Sequence, residues 1–145
     1  MKKKYNMKID HIGIVVKSLE ESINHWEKVF GYAQYTKIVI NTRQKVKVVF
    51  LNKENSLPVK LLEPVGPESP VYRFAKKGGG LHHLCFKCDL ETEINNMKAM
   101  GLKIKLPPEP GEAFDGENIA FFYAKHGLNI ELIDTDKRIK LVPQT

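Results

Sequence analysis

Gly78-Gly79-Gly80-Leu81-His82-His83-Leu84-Cys85-Phe86 is the stretch that decides the fold, because it joins a glycine hinge to an apolar strand that carries two histidines. Lys8-Ile9-Asp10-His11-Ile12-Gly13-Ile14-Val15-Val16 repeats this pattern near the N-terminus. His11 and His83 take the same place in the two strands and are 72 residues apart. The repeat predicts a duplicated fold.

Length and charge limit the class of protein. The chain has 145 residues, of which 42% are hydrophobic, and this is enough to bury the core of one domain over residues 1–145. Its 23 basic and 17 acidic residues give a net charge of +6. The lysines are mixed with acidic residues and are not interleaved with aromatic ones, so we expect no nucleic-acid partner. A small, anionic substrate fits this charge better.

Cysteine usage and hydropathy predict a cytoplasmic protein. Cys85 and Cys88 are the two cysteines, and residues three apart in a strand point to opposite faces, so a disulfide between them is not expected. Free thiols are typical of a reducing compartment. No apolar run reaches the length of a membrane span, and we expect no membrane partner.

The first module, about residues 8–63, has a βαβββ pattern. After the first strand, Ser18 and Glu21 form a capping box that starts a helix, and Gly31 ends it. Alternating and β-branched residues then predict three strands. These strands are Gln34–Ile40, Lys45–Asn52 and Pro58–Glu63.

A crossover, about residues 64–80, joins the modules, and its prolines exclude one continuous element. Ser69-Pro70 predicts a short helix over Pro70–Lys77. The crossover is either a plain linker or the flank of a substrate entrance.

The second module, about residues 81–134, repeats the first. A strand over Leu81–Cys88 is followed by a helix that starts at Asp89 and ends at Gly101. The expected later strands are Lys103–Leu106, Asn118–Tyr123 and Leu128–Asp134. The proline-rich segment 107–111 is too stiff for a core strand and should separate two of them. The tail, residues 135–145, should be peripheral.

The duplication predicts which polar side chains converge. His11 and His83 lie on the first strand of each module, and Lys60 and Glu131 lie on the last strand of each module. All four should share the inner face of the sheet. His82 should face the other way and pack against the helices.

Several short motifs occur in the order of a known family. They are Ile9-Asp10-His11-Ile12, Leu61-Leu62-Glu63-Pro64, Ser69-Pro70-Val71, Gly80-Leu81-His82-His83-Leu84, Ile119-Ala120-Phe121 and Ile130-Glu131-Leu132. The chain resembles the vicinal oxygen chelate (glyoxalase/bleomycin resistance/dioxygenase) superfamily over residues 8–134. It is most similar to the branch of methylmalonyl-CoA epimerases and glyoxalase I-like (lactoylglutathione lyase-like) proteins. The resemblance implies an α+β fold: two pseudo-symmetric βαβββ modules form a curled mixed sheet around a cleft, with helices outside, often in a homodimer.

The resemblance also implies a divalent metal, Zn, Co, Ni or Mn, held by His11, His83 and Glu131. Imidazole nitrogens and a carboxylate suit such ions. Lys60 occupies the usual position of the fourth ligand, where a protonated amine has no lone pair to offer. Three outcomes stay open for Lys60. It swings away and leaves water as the ligand, it loses its proton and serves as a ligand or base, or its ammonium replaces the metal beside Glu131.

The reaction that the resemblance implies is proton transfer next to a carbonyl or thioester, performed by an isomerase or lyase. Glu131 would move the proton, and a charged Lys60 would stabilise an enolate oxygen. Gln44, near the cavity rim, and Arg73, near phosphates of a CoA-like substrate, are expected substrate contacts. The alternative is a non-catalytic protein that sequesters a small molecule in the same fold with a degenerate metal site.

Overall fold

The computed structural model describes residues 7–143, which form nine strands and three α-helices. The strands are β1 (Lys8–Val15), β2 (Ala33–Gln34), β3 (Val39–Asn41), β4 (Val46–Asn52), β5 (Val59–Pro64), β6 (Gly80–Lys87), β7 (Lys103–Pro110), β8 (Asn118–Tyr123) and β9 (Asn129–Ile133). The helices are α1 (Leu19–Phe30), α2 (Tyr72–Lys76) and α3 (Leu90–Ala99). The predicted domain spans residues 1–145, and its residues 1–6 and 144–145 lie outside the described range. The last two belong to the predicted tail.

Local signals set the ends of the two longer helices. The Ser18 hydroxyl accepts a hydrogen bond from the Glu21 amide, and Gly31 ends α1 in the left-handed conformation. The Asp89 carboxylate accepts from the Thr92 amide and starts α3. These caps lie where the sequence predicts them.

One mixed, open sheet contains both modules. Its strand order is β2-β4-β5-β1-β6-β9-β8-β7, with β3 also paired to β4. The first strands, β1 and β6, pair antiparallel at the centre, while β1 pairs parallel with β5 and β6 pairs parallel with β9. The predicted fold class, α+β with two pseudo-symmetric βαβββ modules, is confirmed.

The two longer helices, α1 and α3, cover one face of the sheet, whereas Ala75 of α2 packs with the apolar cluster of the opposite face. Leu19 of α1 packs with Leu51 and Leu61, and Ile94 of α3 packs with Phe122 on the other half. The opposite, inner face carries its own apolar cluster. The side chains on this inner face make up the site described below.

Two strand predictions need correction. The predicted strand Gln34–Ile40 is divided into β2 and β3, because the Tyr35 and Thr36 amides both turn to the Phe50 carbonyl. β7 continues through the prolines to Pro110, where we expected a break. It lies at the end of the strand order and its register shifts twice, which suits prolines that cannot donate to a ladder.

The tail is not peripheral, contrary to the prediction. It crosses the inner face toward the first module, where the Lys37 amide donates to the Lys140 carbonyl and the Val142 amide to the Tyr35 carbonyl. The crossing places the Arg138 side chain, 9% exposed, beside the predicted site. A basic sequence without periodicity gives no signal for such a position.

Among residues 7–143, no helix is long and apolar enough to span a membrane.

Candidate functional site

The four predicted inner-face residues meet at the centre of the sheet and are buried. In one row of register partners, Lys60 lies beside Gly13 and Gly13 beside His83. In the next row, His11 lies beside Cys85 and Cys85 beside Glu131. The exposed fraction is 1% for Lys60 and 0% for the two histidines and Glu131.

Gly13 makes room for His83. A side chain at position 13 would overlap with the His83 ring, since a Cβ there would meet three of its atoms. The glycine between two strands therefore has a packing role: it lets His83 lean across β1 toward the centre of the cluster.

A chain of polar contacts orients His11. Its Nδ1 lies 2.7 Å from Asp10 Oδ2, and Arg138 Nη2 lies 2.5 Å from the same oxygen. Burial alone would raise the pKa of Asp10, but the His11 hydrogen bond and the Arg138 charge hold it below its usual value. An ionised Asp10 accepts a hydrogen bond from His11 Nδ1–H, and His11 Nε2 lies 3.2 Å from Glu131 Oε1.

Glu131 is ionised at the centre of this cluster. Burial, the largest influence, would raise its pKa, but the Lys60 charge and contacts from His11 and His83 together hold it well below its usual value. Lys60 Nζ lies 3.7 Å from Glu131 Oε2. It also lies 5.1 Å and 5.8 Å from the ring centres of Phe114 and Phe50, a cation–π arrangement.

His82 turns toward the inner side, contrary to the expectation that it packs against the helices. Gly13 pairs with His83 but Ile14 pairs with Leu81, so β6 has one extra residue and bulges at His82. His82 Nδ1 lies 2.8 Å from His83 Nδ1 and its ring contacts Phe121. Burial is the largest cause that lowers the pKa of His82 to about 3 and that of His83 to about 4, so both rings are neutral at pH 7.

The donor atoms fit a metal ion in geometry. Ligand atoms of His11, His83 and Glu131 lie within 4.8 Å of one another. Glu131 Oε2 is buried without a hydrogen-bond partner among the described residues, as a lone pair kept for a ligand would be. His83 Nε2 lies 3.0 Å from the other oxygen of this carboxylate, Oε1. The fourth position does not fit, because it carries the Lys60 ammonium. Cys85 forms a second group with Asp10 and His11, but burial raises the pKa of its thiol well above the usual value, which disfavours a thiolate ligand.

A pocket of about 310 Å³ adjoins this cluster. Leu62, on the same strand as Lys60, and His82, next to His83, form part of its wall. Gln44 also lines it and presents a buried Nε2 without a hydrogen-bond partner among the described residues. Arg73 is exposed on α2 and is not among the described lining residues.

Comparison with known proteins agrees with this architecture. The family model of the Glyoxalase/Bleomycin resistance protein/Dioxygenase superfamily matches residues 10–121. The chain belongs to this superfamily, the vicinal oxygen chelate family. The resemblance drawn from the sequence motifs is confirmed.

Several relatives of this vicinal oxygen chelate protein are named as enzymes. Mitochondrial methylmalonyl-CoA epimerase of Dictyostelium discoideum is 32% identical over 130 residues, which are 86% of this chain and 76% of the relative. The human mitochondrial enzyme of the same name is 32% identical over 133 residues, 86% and 72% of the two chains. A variant of Streptomyces coelicolor methylmalonyl-CoA epimerase, solved with 2-nitronate-propionyl-CoA, has a TM-score of 0.78 at 27% identity and covers 89% of this chain and 97% of its own.

Three residues of the cluster were missed in the sequence. Asp10 precedes the predicted ligand His11 and His82 precedes the predicted ligand His83. These neighbouring positions in the sequence could have indicated that both residues belong to the site. Arg138 lies in the tail, and only the folded chain brings its guanidinium to 4.5 Å and 4.6 Å from the rings of Phe50 and Phe114.

Proposed function

We propose that this chain is an epimerase-type isomerase that exchanges the proton on the carbon next to the thioester of a small acyl-CoA. The observation that carries the proposal is the ionised, buried carboxylate of Glu131 in a cluster that adjoins a pocket. The named activity of the relatives supports the same reaction. These relatives favour an epimerase over a lactoylglutathione lyase, and an enzyme over a sequestering protein.

Glu131 is the group that would move the proton. Its Oε2 has no hydrogen-bond partner among the described residues, so a lone pair is ready to take a proton. A carboxylate with a lowered pKa is always ionised at pH 7, but it is a weak base. The transfer therefore depends on groups that stabilise the negative charge of the enolate.

The pocket suits an anionic acyl chain. Arg43, Lys105 and Glu109 line it and together carry a net positive charge, and Gln44 Nε2, which has no hydrogen-bond partner among the described residues, can donate to a substrate oxygen. His82 connects this pocket to the cluster, because its ring lines the pocket and its Nδ1 lies 2.8 Å from His83 Nδ1. The thioester would lie at this wall, with the rest of the substrate toward the basic rim.

A divalent ion held by His11, His83 and Glu131 would act as a Lewis acid toward the thioester oxygen. The divalent metal itself, the homodimer, the cytoplasmic location and a contact of Arg73 with substrate phosphates stay predictions.

The proposal is tested by incubating the protein with one epimer of methylmalonyl-CoA and measuring the appearance of the other with a stereospecific coupled assay. We expect wild type to equilibrate the epimers and Glu131→Gln to be slower by roughly 10²–10⁴-fold, the usual contribution of a general base. The matched control is Glu91→Gln, which changes an exposed carboxylate on α3 and should keep wild-type activity. Equal rates for wild type and Glu131→Gln would remove Glu131 from the mechanism, and no conversion by folded wild type would reject the proposed function.

A further inference from the structure

The place of the fourth metal ligand holds a buried cation. Lys60 is 1% exposed, and its Nζ lies 3.7 Å from Glu131 Oε2. This distance is too long for a hydrogen bond but close enough for strong attraction between buried charges. The ammonium has three N–H donors, so it can hold Glu131 and still donate to a second oxygen.

The ionised groups of the cluster form two pairs of opposite charge. Glu131 pairs with Lys60, and Asp10 pairs with Arg138. A divalent ion at the three donors would add two uncompensated positive charges in the interior, next to the ammonium. The charge balance thus opposes the ion that the donor geometry would accept.

The Lys60 side chain is also fixed in its position. On the sheet it lies between Gly13 and Phe50, its register partners on β1 and β4. Its ammonium lies near the rings of Phe50 and Phe114, and the Arg138 guanidinium lies on the same two rings. A lysine that swings away to admit water would have to displace these rings and leave Glu131 unpaired.

We infer that the Lys60 ammonium replaces the divalent ion in this chain, so that His11, His83 and Glu131 form a latent metal site that a lysine keeps empty. The inference rests on the proposed function for its catalytic part. Glu131 takes the proton from the α-carbon, and the C–H electron pair becomes the carbon–carbon double bond of the enolate. The negative charge moves to the thioester oxygen, which accepts a hydrogen bond from Lys60 Nζ. A proton from water then adds to the opposite face of the planar α-carbon, which gives the other epimer, and Glu131 returns its proton to water, so no further reagent is consumed.

Metal binding tests the inference independently of activity. Chelator-treated wild type, Lys60→Gln and Lys60→Met are titrated with Co²⁺, and binding is followed by calorimetry and by the visible spectrum of the bound ion. We expect wild type to bind far less than one equivalent, and both variants to bind one equivalent, because each lacks the ammonium. The matched control is Lys47→Met on β4, which removes a lysine paired with Glu63 at 3.2 Å and should behave like wild type. Binding of one equivalent by wild type would overturn the inference, and so would the failure of folded Lys60→Gln and Lys60→Met to bind more than wild type.

Activity in the presence of chelator tests the catalytic part. We expect wild type to exchange the α-proton equally well with and without chelator. Lys60→Met should be slower by about 10²–10³-fold in chelator, the usual cost of removing one donor to a developing oxyanion. Added metal should restore the exchange activity of Lys60→Gln. It should leave the rate of wild type unchanged, because the wild-type reaction does not depend on metal. A wild type that is active only with metal would overturn the inference and leave the proposed function intact.

The two proposals fail in different ways. Suppose that wild type neither binds Co²⁺ nor exchanges the proton, while the Lys60 variants bind one equivalent. This result would reject the proposed function and support the replacement of the metal by Lys60. If both Lys60 variants fail to fold, the wild-type titration decides alone, since one bound equivalent contradicts the inference and no binding supports it.

Discussion

β5 and β9 place opposite charges in matching surroundings. Lys60 on β5 has Gly13 and Phe50 as register partners, and Glu131 on β9 has Cys85 and Phe121. Each strand pairs parallel with the first strand of its module, and each neighbouring strand contributes a phenylalanine. The duplication therefore gives the site two equivalent positions. The difference in charge turns these two positions into a buried ion pair.

Breaking the pair should have the largest effect on stability. Glu131→Leu leaves the Lys60 ammonium buried without its partner, and we expect a loss of about 3–5 kcal/mol in the free energy of unfolding. The double variant Lys60→Met/Glu131→Leu should recover most of this loss, because two apolar side chains replace two charges. Urea unfolding at pH 7 measures both values.

A control separates this effect from the loss of any lysine. Lys47→Met removes a partly exposed ion pair from the other face of the sheet and should cost less than about 1 kcal/mol. The paired-charge account would be wrong if the double variant were as unstable as Glu131→Leu.

Gly13 and Cys85, the register partners of Lys60 and Glu131 on the first strands, differ in size. Changing them should affect stability less than breaking the ion pair. Gly13→Ala places a Cβ against the His83 ring, and we expect a cost of about 1–3 kcal/mol, typical of overpacking, together with a displaced ring. Cys85→Ala at the equivalent position removes one atom and should leave His83 in place. Histidine side-chain NMR and urea unfolding report the two effects. Unchanged His83 signals and stability in Gly13→Ala would show that the glycine has no such role.

Much of this architecture follows from local patterns in the sequence. The first strands, the capped helices and β8 were predicted close to their observed bounds, because caps and alternation act within a few residues. The repeat alone brought His11, His83, Lys60 and Glu131 to one face, since equivalent positions in two related modules meet at a pseudo-symmetry axis.

The remaining features depend on contacts between distant segments. The bulge that turns His82 inward arises from the pairing of β6 with β1. The alternation of residues along a single strand cannot reveal it. The position of Arg138 depends on the path of the tail across the inner face, where it contacts Asp10, 128 residues away. β7 keeps its prolines because it lies at a sheet edge, a place that the strand order sets.

The central claim, that Glu131 removes the α-proton of an acyl-CoA thioester, is tested most directly by exchange in D₂O. Proton NMR of methylmalonyl-CoA should show the α-hydrogen replaced by deuterium at a rate that depends on wild-type protein. Glu131→Gln should lose this exchange, and Glu91→Gln should keep it. An α-hydrogen that persists in the presence of folded wild-type protein would contradict the account, as would exchange by Glu131→Gln at the wild-type rate.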